Sequence, residues 1–457
     1  MESRHLVGRA LNREELRALA RLGVPLAGAS LAEMGMALTD MAVVGRLGGL
    51  ELAAVGLAGG IAFDMLAILL GILTIVGVLV AEAIGAGRHD RVGAIVGQAL
   101  RIALGLSVLM IAFALALPVL LTWTPQDAGI VPLAQAYLHA LVWAFPLAMI
   151  YGVLVDTATA LERTRTVFLV SVGAVLLNAP LSWLFVFGLE EGAGLGVAGA
   201  GYATSLVHLI MVAALFWALL ADRSTRQVLD PRAFLRRDRQ ARSDITRLGL
   251  PVAGMTVVES GMFSVITILM GGFGAPVLAA HRILTGFADI ATTVAFALGD
   301  AATIRVARAL GAGDMNRARR SGHLAIISGG LLLAALALLC LLNPDAIAWI
   351  FLGSRDADNA AVYGWVEALS GIGVIYVLVS GLQILAEHAL RGLKDTFVPM
   401  IQQTIGLWGV GLAGGVIAAY ALDLGAMGLW YGMAAGSGIT AVLFVLRFRR
   451  LTRSEAL

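Results

Sequence analysis

Long apolar stretches separated by short polar connections dominate the chain. A helix needs about 20 apolar residues to cross the hydrocarbon core of a bilayer. Twelve segments satisfy this requirement, at 22–44, 53–82, 92–121, 131–160, 166–188, 195–221, 248–272, 276–306, 320–343, 361–390, 396–420 and 424–447. Since backbone polar groups must be satisfied inside a membrane, the pattern predicts an all-α integral membrane protein with twelve transmembrane helices.

Composition agrees with this prediction. Of the 457 residues, 59% are hydrophobic and only 14% are charged, whereas about a quarter of the residues of a soluble domain are charged. The 55 glycines are typical of a membrane bundle, because small residues let neighbouring helices approach closely. We therefore expect the lipid bilayer to surround the chain.

Positive charges collect in alternate connections between the predicted spans. The basic connections contain Arg88, Arg91, Arg163, Arg165, Arg317, Arg319, Arg391 and Lys394. By the positive-inside rule, this pattern predicts a multi-pass protein of the bacterial inner membrane with both termini in the cytoplasm.

The arginine-rich stretch 222–247 is compatible with binding to nucleic acid or anionic lipid. We interpret it instead as a cytoplasmic linker whose charge fixes the topology, and expect no nucleic-acid partner.

The two halves of the sequence match each other with a constant offset of 226 residues. Residues 22–25 (LGVP) correspond to 248–251 (LGLP), and 85–87 (GAG) correspond to 311–313 (GAG). Each repeat holds six predicted spans, an even number, so the repeats are parallel. We expect a pseudo-twofold axis along the membrane normal and a central cavity. The predicted organisation is a six-helix bundle at 1–221, a basic linker at 222–247 and a second bundle at 248–457. It is typical of carriers, with a channel or scaffold as the alternatives.

One carboxylate falls deep inside the first predicted span. Asp40 lies fifteen residues after Pro25, and its repeat equivalent is the apolar Ile266. A charged residue at mid-membrane costs about 2.5–3.5 kcal/mol on insertion scales, so its presence points to a function. Asn178 and Thr204 offer neutral oxygens in the same bundle. We hypothesise that these three residues couple cation movement, with a proton or a transient Na⁺ at Asp40 and no resident metal.

A second pair of carboxylates occupies equivalent positions in the two repeats. Glu33 and Glu259 are 226 residues apart, and we hypothesise that they face each other across the cavity and bind cationic cargo. The alternative is that each points into its own bundle. Met36 and Met262 neighbour these acids in sequence and are predicted to give the substrate site an adaptable apolar lining.

Glu387 and His388 stand near one end of the tenth predicted span. Because histidine titrates near neutral pH, the two are a candidate proton relay. The alternative is that they only solvate the end of the helix.

Several strings, in order along the chain, carry a resemblance to a known family. They are 39–48 (TDMAVVGRLG), 177–181 (LNAPL), 305–313 (RVARALGAG) and 390–392 (LRG). With them the chain resembles the multidrug and toxic compound extrusion (MATE) transporters, most closely the bacterial NorM-like branch. The resemblance implies export of amphipathic, often cationic, small-molecule drugs or organic cations in exchange for inward Na⁺ or H⁺. It also identifies Glu259 with an acid of the seventh span. We expect a monomer without a cofactor.

Two positions depart from the family pattern. Ser380 stands where the NorM-like branch usually has an acid in the tenth span, and Glu387 follows seven residues later. Ser182 stands where archaeal members have an acid, four residues after Asn178. These departures leave the choice of coupling ion between Na⁺ and H⁺ open.

Two other functions are alternatives to drug efflux. A lipid-linked precursor flippase of the same superfamily is expected to have a strongly cationic cavity, whereas the mid-span charges here are mostly carboxylates. A membrane-embedded enzyme is disfavoured because the sequence lacks a Gly-Lys-Ser/Thr phosphate loop, a paired-histidine metal motif and a Gly-x-Ser-x-Gly elbow. We therefore predict a transporter and not an enzyme.

Overall fold

The computed structural model describes residues 2–125, 127, 129–189, 193–229, 231–353, 355–356 and 359–453. These residues form helices joined by short connections. The first helices are α1 (Glu2–Gly45), α2 (Gly49–Leu73), α3 (Ile75–Gly85), α4 (Val92–Leu121), α5 (Ile130–Leu141), α6 (Ala144–Ala160), α7 (Thr164–Phe187), α8 (Val197–Ala221) and α9 (Arg223–Val228). Two 3₁₀ turns lie at His89–Arg91 and Pro231–Leu235.

The later helices are α10 (Arg239–Gly271), α11 (Ala275–Gly311), α12 (Met315–Leu342), α13 (Pro344–Leu352), α14 (Ala360–Gly392), α15 (Phe397–Thr404), α16 (Gly414–Val416) and α17 (Gly425–Leu451). Two π-helical stretches, Ile405–Ala413 and Ile417–Ala421, flank α16 and continue it into one long segment with α15.

In the described part of the chain, eleven helical segments are long and apolar enough to cross a membrane, or twelve when the bent pair α5 and α6 counts as one span. That pair bends by 48° and coincides with the predicted span 131–160. The prediction of an all-α membrane protein is confirmed. Several helices exceed their predicted limits, because the polar residues that lead into them continue the helix.

The chain divides into two compact units. The N-terminal unit comprises residues 28–253, and the C-terminal unit comprises the residues up to Ala27 together with those from Gly254 onward. This division differs from the predicted limits at 221 and 248. The difference arises because the leading part of α1 belongs to the unit formed by the second repeat, and the leading part of α10 to that formed by the first.

Equivalent glycines hold these two leading helix segments in place. In the C-terminal unit, a Cβ atom on Gly23 would lie 2.8 Å from the side chain of Leu298. In the N-terminal unit, a Cβ atom on Gly249 would lie 2.3 Å from the carbonyl oxygen of Ile72. Both pairs are related by the 226-residue offset of the sequence repeat. An equivalent close helix contact at a glycine therefore occurs once in each unit, against the backbone at Gly249 and against a flexible side chain at Gly23.

Ion pairs fasten the polar ends of these leading segments. In the C-terminal unit, Glu15 of α1 accepts two hydrogen bonds of 2.7 Å from the Arg305 guanidinium and a third of 2.7 Å from Ser321. In the N-terminal unit, Arg91 donates to Asp238, just before α10, at 2.9 Å. Each leading segment is thus held by packing and by a charge pair.

Candidate cation-coupling and substrate sites

Asp40 of α1 is surrounded by neutral hydrogen-bond donors from two other helices of the N-terminal unit. On α7, the Asn178 side-chain amide donates to Asp40 Oδ1 at 2.8 Å, and the Ser182 hydroxyl donates to the same Asp40 atom at 2.6 Å. On α8, the Thr204 hydroxyl donates to Oδ2 at 2.9 Å. The structure therefore brings together the three residues that the sequence nominated, Asp40, Asn178 and Thr204, and adds Ser182.

Both hydroxyls around Asp40 have a second acceptor within reach. Ser182 Oγ lies 3.1 Å from Asn178 Oδ1, and Thr204 Oγ lies 2.9 Å from the backbone carbonyl of Ala200. A hydroxyl carries a single hydrogen and can donate to one acceptor at full strength. When Asp40 is ionised, the hydroxyls can donate to it; when it is protonated, they can turn to Asn178 and Ala200. The site leaves no buried hydroxyl unsatisfied in either protonation state.

Glu33 lies two turns before Asp40 on α1 and also contacts α7. Its Oε1 atom accepts a 3.0 Å hydrogen bond from the Ser171 hydroxyl, and Ser171 Oγ lies 3.0 Å from the Tyr151 hydroxyl of α6. Ser171 is fully buried, and Tyr151 is only 6% exposed. The polar partners found for Glu33 thus belong to its own unit.

A separate pocket of about 220 Å³ lies inside the C-terminal unit. Its polar lining includes the carboxylates of Glu259 on α10, Asp289 on α11 and Glu387 on α14, together with the Arg391 guanidinium. Its apolar lining consists of Met255, Phe263, Ala288, Phe296 and the ring of Tyr376. Acidic groups beside aromatic and thioether surface suit an amphipathic cation.

The acids of this pocket have different partners. Glu259 Oε2 lies 3.5 Å from the side-chain amide nitrogen of Gln403, a long and weak contact. Glu387 instead pairs with Arg391 one turn later on α14, and both side chains are less than 10% exposed. Glu387 is therefore neutralised within its own helix, whereas the donor found for Glu259 among the described residues is a neutral amide. The hypothesis that Glu33 and Glu259 face each other stays a prediction.

The two members of the candidate relay both lie beside Arg391, whose guanidinium pairs with Glu387 and is 3.5 Å from His388 Nε2. His388 is 1% exposed, its Nδ1 atom lies 2.8 Å from the Ile384 carbonyl, and its Nε2 atom lies 3.3 Å from Asp300 Oδ1. Asp300 has a half-exposed side chain. The proton-relay role of Glu387 and His388 stays a prediction. The acid that contacts the His388 ring is Asp300.

The two nominated methionines are both buried. Met36 is 8% exposed, and Met262 is 1% exposed within the main hydrophobic core of the C-terminal unit. The methionine that lines the pocket is Met255. Ser380, at the position where related transporters were expected to carry an acid, is buried and donates to the Val377 carbonyl at 3.2 Å. The substrate-binding roles of Met36 and Met262 stay predictions.

Comparison with known families and structures gives consistent results. The MatE family model matches residues 25–184 and again residues 251–417. The two matches begin at equivalent positions of the sequence repeat. Curated relatives include the multidrug resistance protein NorM of Burkholderia vietnamiensis, 35% identical over 441 residues that cover 95% of this chain and 94% of that protein. A probable multidrug resistance protein NorM of Rhizobium meliloti is 34% identical over 96% of this chain and 94% of its own.

Solved structures agree at the level of the fold. An outward-facing multidrug resistance MATE family transporter of the MOP superfamily superposes with a TM-score of 0.87 at 20% identity, covering 97% of each chain. A mutant of a Vibrio cholerae MATE transporter superposes with a TM-score of 0.85 at 20% identity, over 97% of this chain and 98% of that one.

Proposed function

Since the chain belongs to the MATE family of multidrug efflux transporters, we propose that it exports amphipathic cations in exchange for inward-moving protons. Asp40 is the proton carrier in this proposal. The chain is a multi-pass membrane transporter and not an enzyme. We further propose that both termini face the cytoplasm, because this orientation places most arginine and lysine residues of the connections on the cytoplasmic side. A monomer with no cofactor besides the coupling ion is sufficient for this cycle.

The alternative hydrogen-bond acceptors around Asp40 are the observation that favours a proton. Ser182 and Thr204 can each donate either to the carboxylate or to a second acceptor. Binding a proton therefore needs only two hydroxyl rotations and leaves every donor paired. Binding Na⁺ would require several oxygen lone pairs to turn toward the ion at once, which would turn the donor hydrogens away from Asp40.

Carboxylates in the pocket of the C-terminal unit support a cationic cargo. Three acids and one arginine line it, and the arginine is already paired with Glu387. Glu259 and Asp289 remain to attract a positive group, while Phe263 and Tyr376 offer apolar and aromatic surface. A flippase for a pyrophosphate-linked lipid would need the opposite charge, so this pocket favours drug efflux over the flippase alternative.

The cycle follows from these two sites. A proton taken up from outside neutralises the Asp40 carboxylate in the N-terminal unit. In this protonated state, the cargo leaves toward the outside. Return of the carrier delivers the proton to the cytoplasm. Because each ligand must bind one state better than the other to drive the change, the carboxylate of Asp40 is expected to be ionised while cargo is held.

Transport by purified protein in liposomes tests this proposal. Ethidium movement is measured under an imposed pH gradient, and then under an imposed Na⁺ gradient at equal pH on both sides. We expect transport only with the pH gradient. Asp40→Asn should abolish it while leaving ethidium binding in detergent intact. Asp90→Asn, at an exposed carboxylate in the His89–Arg91 turn outside the predicted spans, is the matched control and should transport normally. Transport driven by Na⁺ alone, or normal transport by Asp40→Asn, would contradict the assignment.

A further inference from the structure

We propose that Glu33, Ser171 and Tyr151 form a second proton-binding site in the N-terminal unit, separate from Asp40. The inference rests on the proton coupling proposed above. It assigns to Glu33 a role in the energetics of transport instead of the cargo-binding role that the sequence suggested.

The position of this cluster repeats that of the Asp40 site. Glu33 and Asp40 are seven residues apart on α1, and their α7 partners Ser171 and Asn178 are also seven residues apart. Two turns of helix correspond to a rise of about 10 Å. The same pair of helices therefore places a carboxylate against a neutral polar side chain at two levels along the membrane normal.

The hydrogen-bond chain at Glu33 can serve either protonation state. With Glu33 ionised, the Tyr151 hydroxyl donates to Ser171, and Ser171 donates to the carboxylate. With Glu33 protonated, its own hydroxyl donates to Ser171, and Ser171 turns to donate to Tyr151. All three groups keep a partner in both states, because each hydroxyl can act as donor and as acceptor.

The groups around Glu33 are suited to a proton and poorly suited to a cationic side chain or cargo. Ser171 from α7 donates to the carboxylate, and Tyr151 from α6 reaches it through Ser171. Both side chains are almost wholly buried. Asp40 is the next acid along α1, about 10 Å away. The partners found for Glu33 among the described residues are hydroxyl groups without charge. An ionised carboxylate is costly inside a membrane, so a proton is the simplest ligand that relieves the cost.

Glu33 lies on the cytoplasmic side of Asp40 in the proposed orientation. Since α1 runs from the cytoplasm outward, Glu33 is nearer the cytoplasm by about 10 Å. The second site therefore occupies the path by which a proton would leave the N-terminal unit inward. We expect both sites to load from outside and unload inside, so that two protons accompany each monovalent cargo cation.

Infrared difference spectroscopy of the full-length protein in lipid tests the site without any transport. Acidification over a pH range of about 5 to 9 should produce carbonyl bands of protonated carboxyl groups, and two of these bands should belong to Glu33 and Asp40. Glu33→Gln should remove one band and Asp40→Asn the other. Tyr151→Phe should shift the frequency of the Glu33 band and leave that of Asp40 unchanged, whereas Asp90→Asn should alter neither. A Glu33→Gln spectrum identical to that of the unmodified protein would overturn the proposal.

A thermodynamic measurement in liposomes then counts the protons. With the membrane potential clamped at zero, one unit of pH gradient supports about tenfold accumulation of ethidium per coupled proton. We expect about 100-fold accumulation by the unmodified protein and about 10-fold by Glu33→Gln. Equal accumulation by both would refute the two-proton count. Glu33→Asp should restore a titrating band, which separates loss of the site from misfolding.

Failure of the proposed function is distinguishable from failure of this site. If Na⁺ alone drives transport but the Glu33 band still titrates, proton coupling at Asp40 is wrong and the second proton site stands. If a pH gradient drives transport and Glu33→Gln changes neither the spectrum nor the accumulation ratio, the second site is wrong and the proposed function stands.

Discussion

Replacement of Glu15 by glutamine should destabilise the C-terminal unit more than any other conservative change at its polar end. The Glu15 carboxylate receives both hydrogen bonds of the Arg305 fork at 2.7 Å, with side-chain exposures of 7% and 9%. Ser321 adds a third bond at 2.7 Å. Glu15→Gln keeps the shape of the side chain but removes its charge and one acceptor oxygen.

The expected magnitude follows from the burial of this pair. Breaking a buried ion pair by removing one partner costs about 3–5 kcal/mol. Because glutamine retains one oxygen for Arg305 or Ser321, we expect a loss near the lower limit, about 3 kcal/mol. Arg317 is the internal comparison: it approaches Glu15 only to 3.8 Å and its side chain is 51% exposed. Arg317→Gln should therefore cost about 1 kcal/mol or less.

Equilibrium unfolding in mixed detergent micelles measures both losses, and a double-mutant cycle isolates the pair. Glu15→Leu combined with Arg305→Met replaces both charges by apolar groups, and should recover most of the stability lost by Glu15→Leu alone. Two results would refute the reasoning. One is a Glu15→Gln variant as stable as Arg317→Gln; the other is a double variant no more stable than the single.

Three further predictions concern topology, acid stability and cargo charge. In a Cys340→Ala background, a cysteine at the exposed Ser224 should resist an impermeant thiol reagent in intact cells; ready labelling would invert the proposed orientation. Burial opposes ionisation of Asp238, but a backbone amide of α10 and the Arg91 guanidinium outweigh it and lower the pKa of Asp238. The ionised Asp238 therefore stabilises the fold fully above about pH 4, and this stabilisation is lost on further acidification. Asp238→Asn should reduce the fall in unfolding temperature between about pH 4 and lower pH, and an unchanged fall would exclude the Arg91–Asp238 pair as its cause. Glu259→Gln should weaken binding of ethidium but not of a neutral substrate, and equal losses for both would argue against a charge role.

The Asp40 site could be predicted from the sequence because charge in a membrane is expensive. An acid in the middle of a span must find polar partners, and the polar side chains Asn178 and Thr204 lay on helices of the same repeat. The sequence singles out Ser182 only as a departure from the family pattern, although Ser182 lies one turn after Asn178 on the same helix. Its 2.6 Å bond to Asp40 shows that the hydroxyl at this position contacts the first helix.

The Glu33 partners could not be found in the same way. Serine hydroxyls in membrane helices commonly bond to the carbonyl one turn earlier on their own helix, as Ser107 does to Ala103 at 2.7 Å. The sequence does not reveal that Ser171 instead reaches Glu33, since this depends on how α7 rotates against α1. Tertiary packing of this kind also explains why the unit limits differed from the predicted limits.

The bend between α5 and α6 did have a local signal. The helix is interrupted at Val142 and Trp143, and Pro146 follows within one turn. Proline has no N–H to donate to the carbonyl four residues earlier, so Pro146 leaves the Val142 carbonyl without its helical partner. Hydropathy alone predicts one continuous span at 131–160, because an apolar stretch does not show whether its helix is straight.

The two units treat their carboxylates differently, and this difference argues for a division of roles. In the N-terminal unit, Asp40 and Glu33 meet hydroxyl and amide donors that can follow a proton by rotating. In the C-terminal unit, Glu387 is tied to Arg391 while Glu259 lines a pocket with only a long contact to an amide. A group that gains and loses protons needs reversible partners, whereas a group that attracts a cation needs an ionised carboxylate that is not already neutralised. Under the proposed function, variants at Asp40 should therefore lose coupling while retaining cargo affinity, and variants at Glu259 should lose cargo affinity while the infrared carboxyl bands of the N-terminal unit remain.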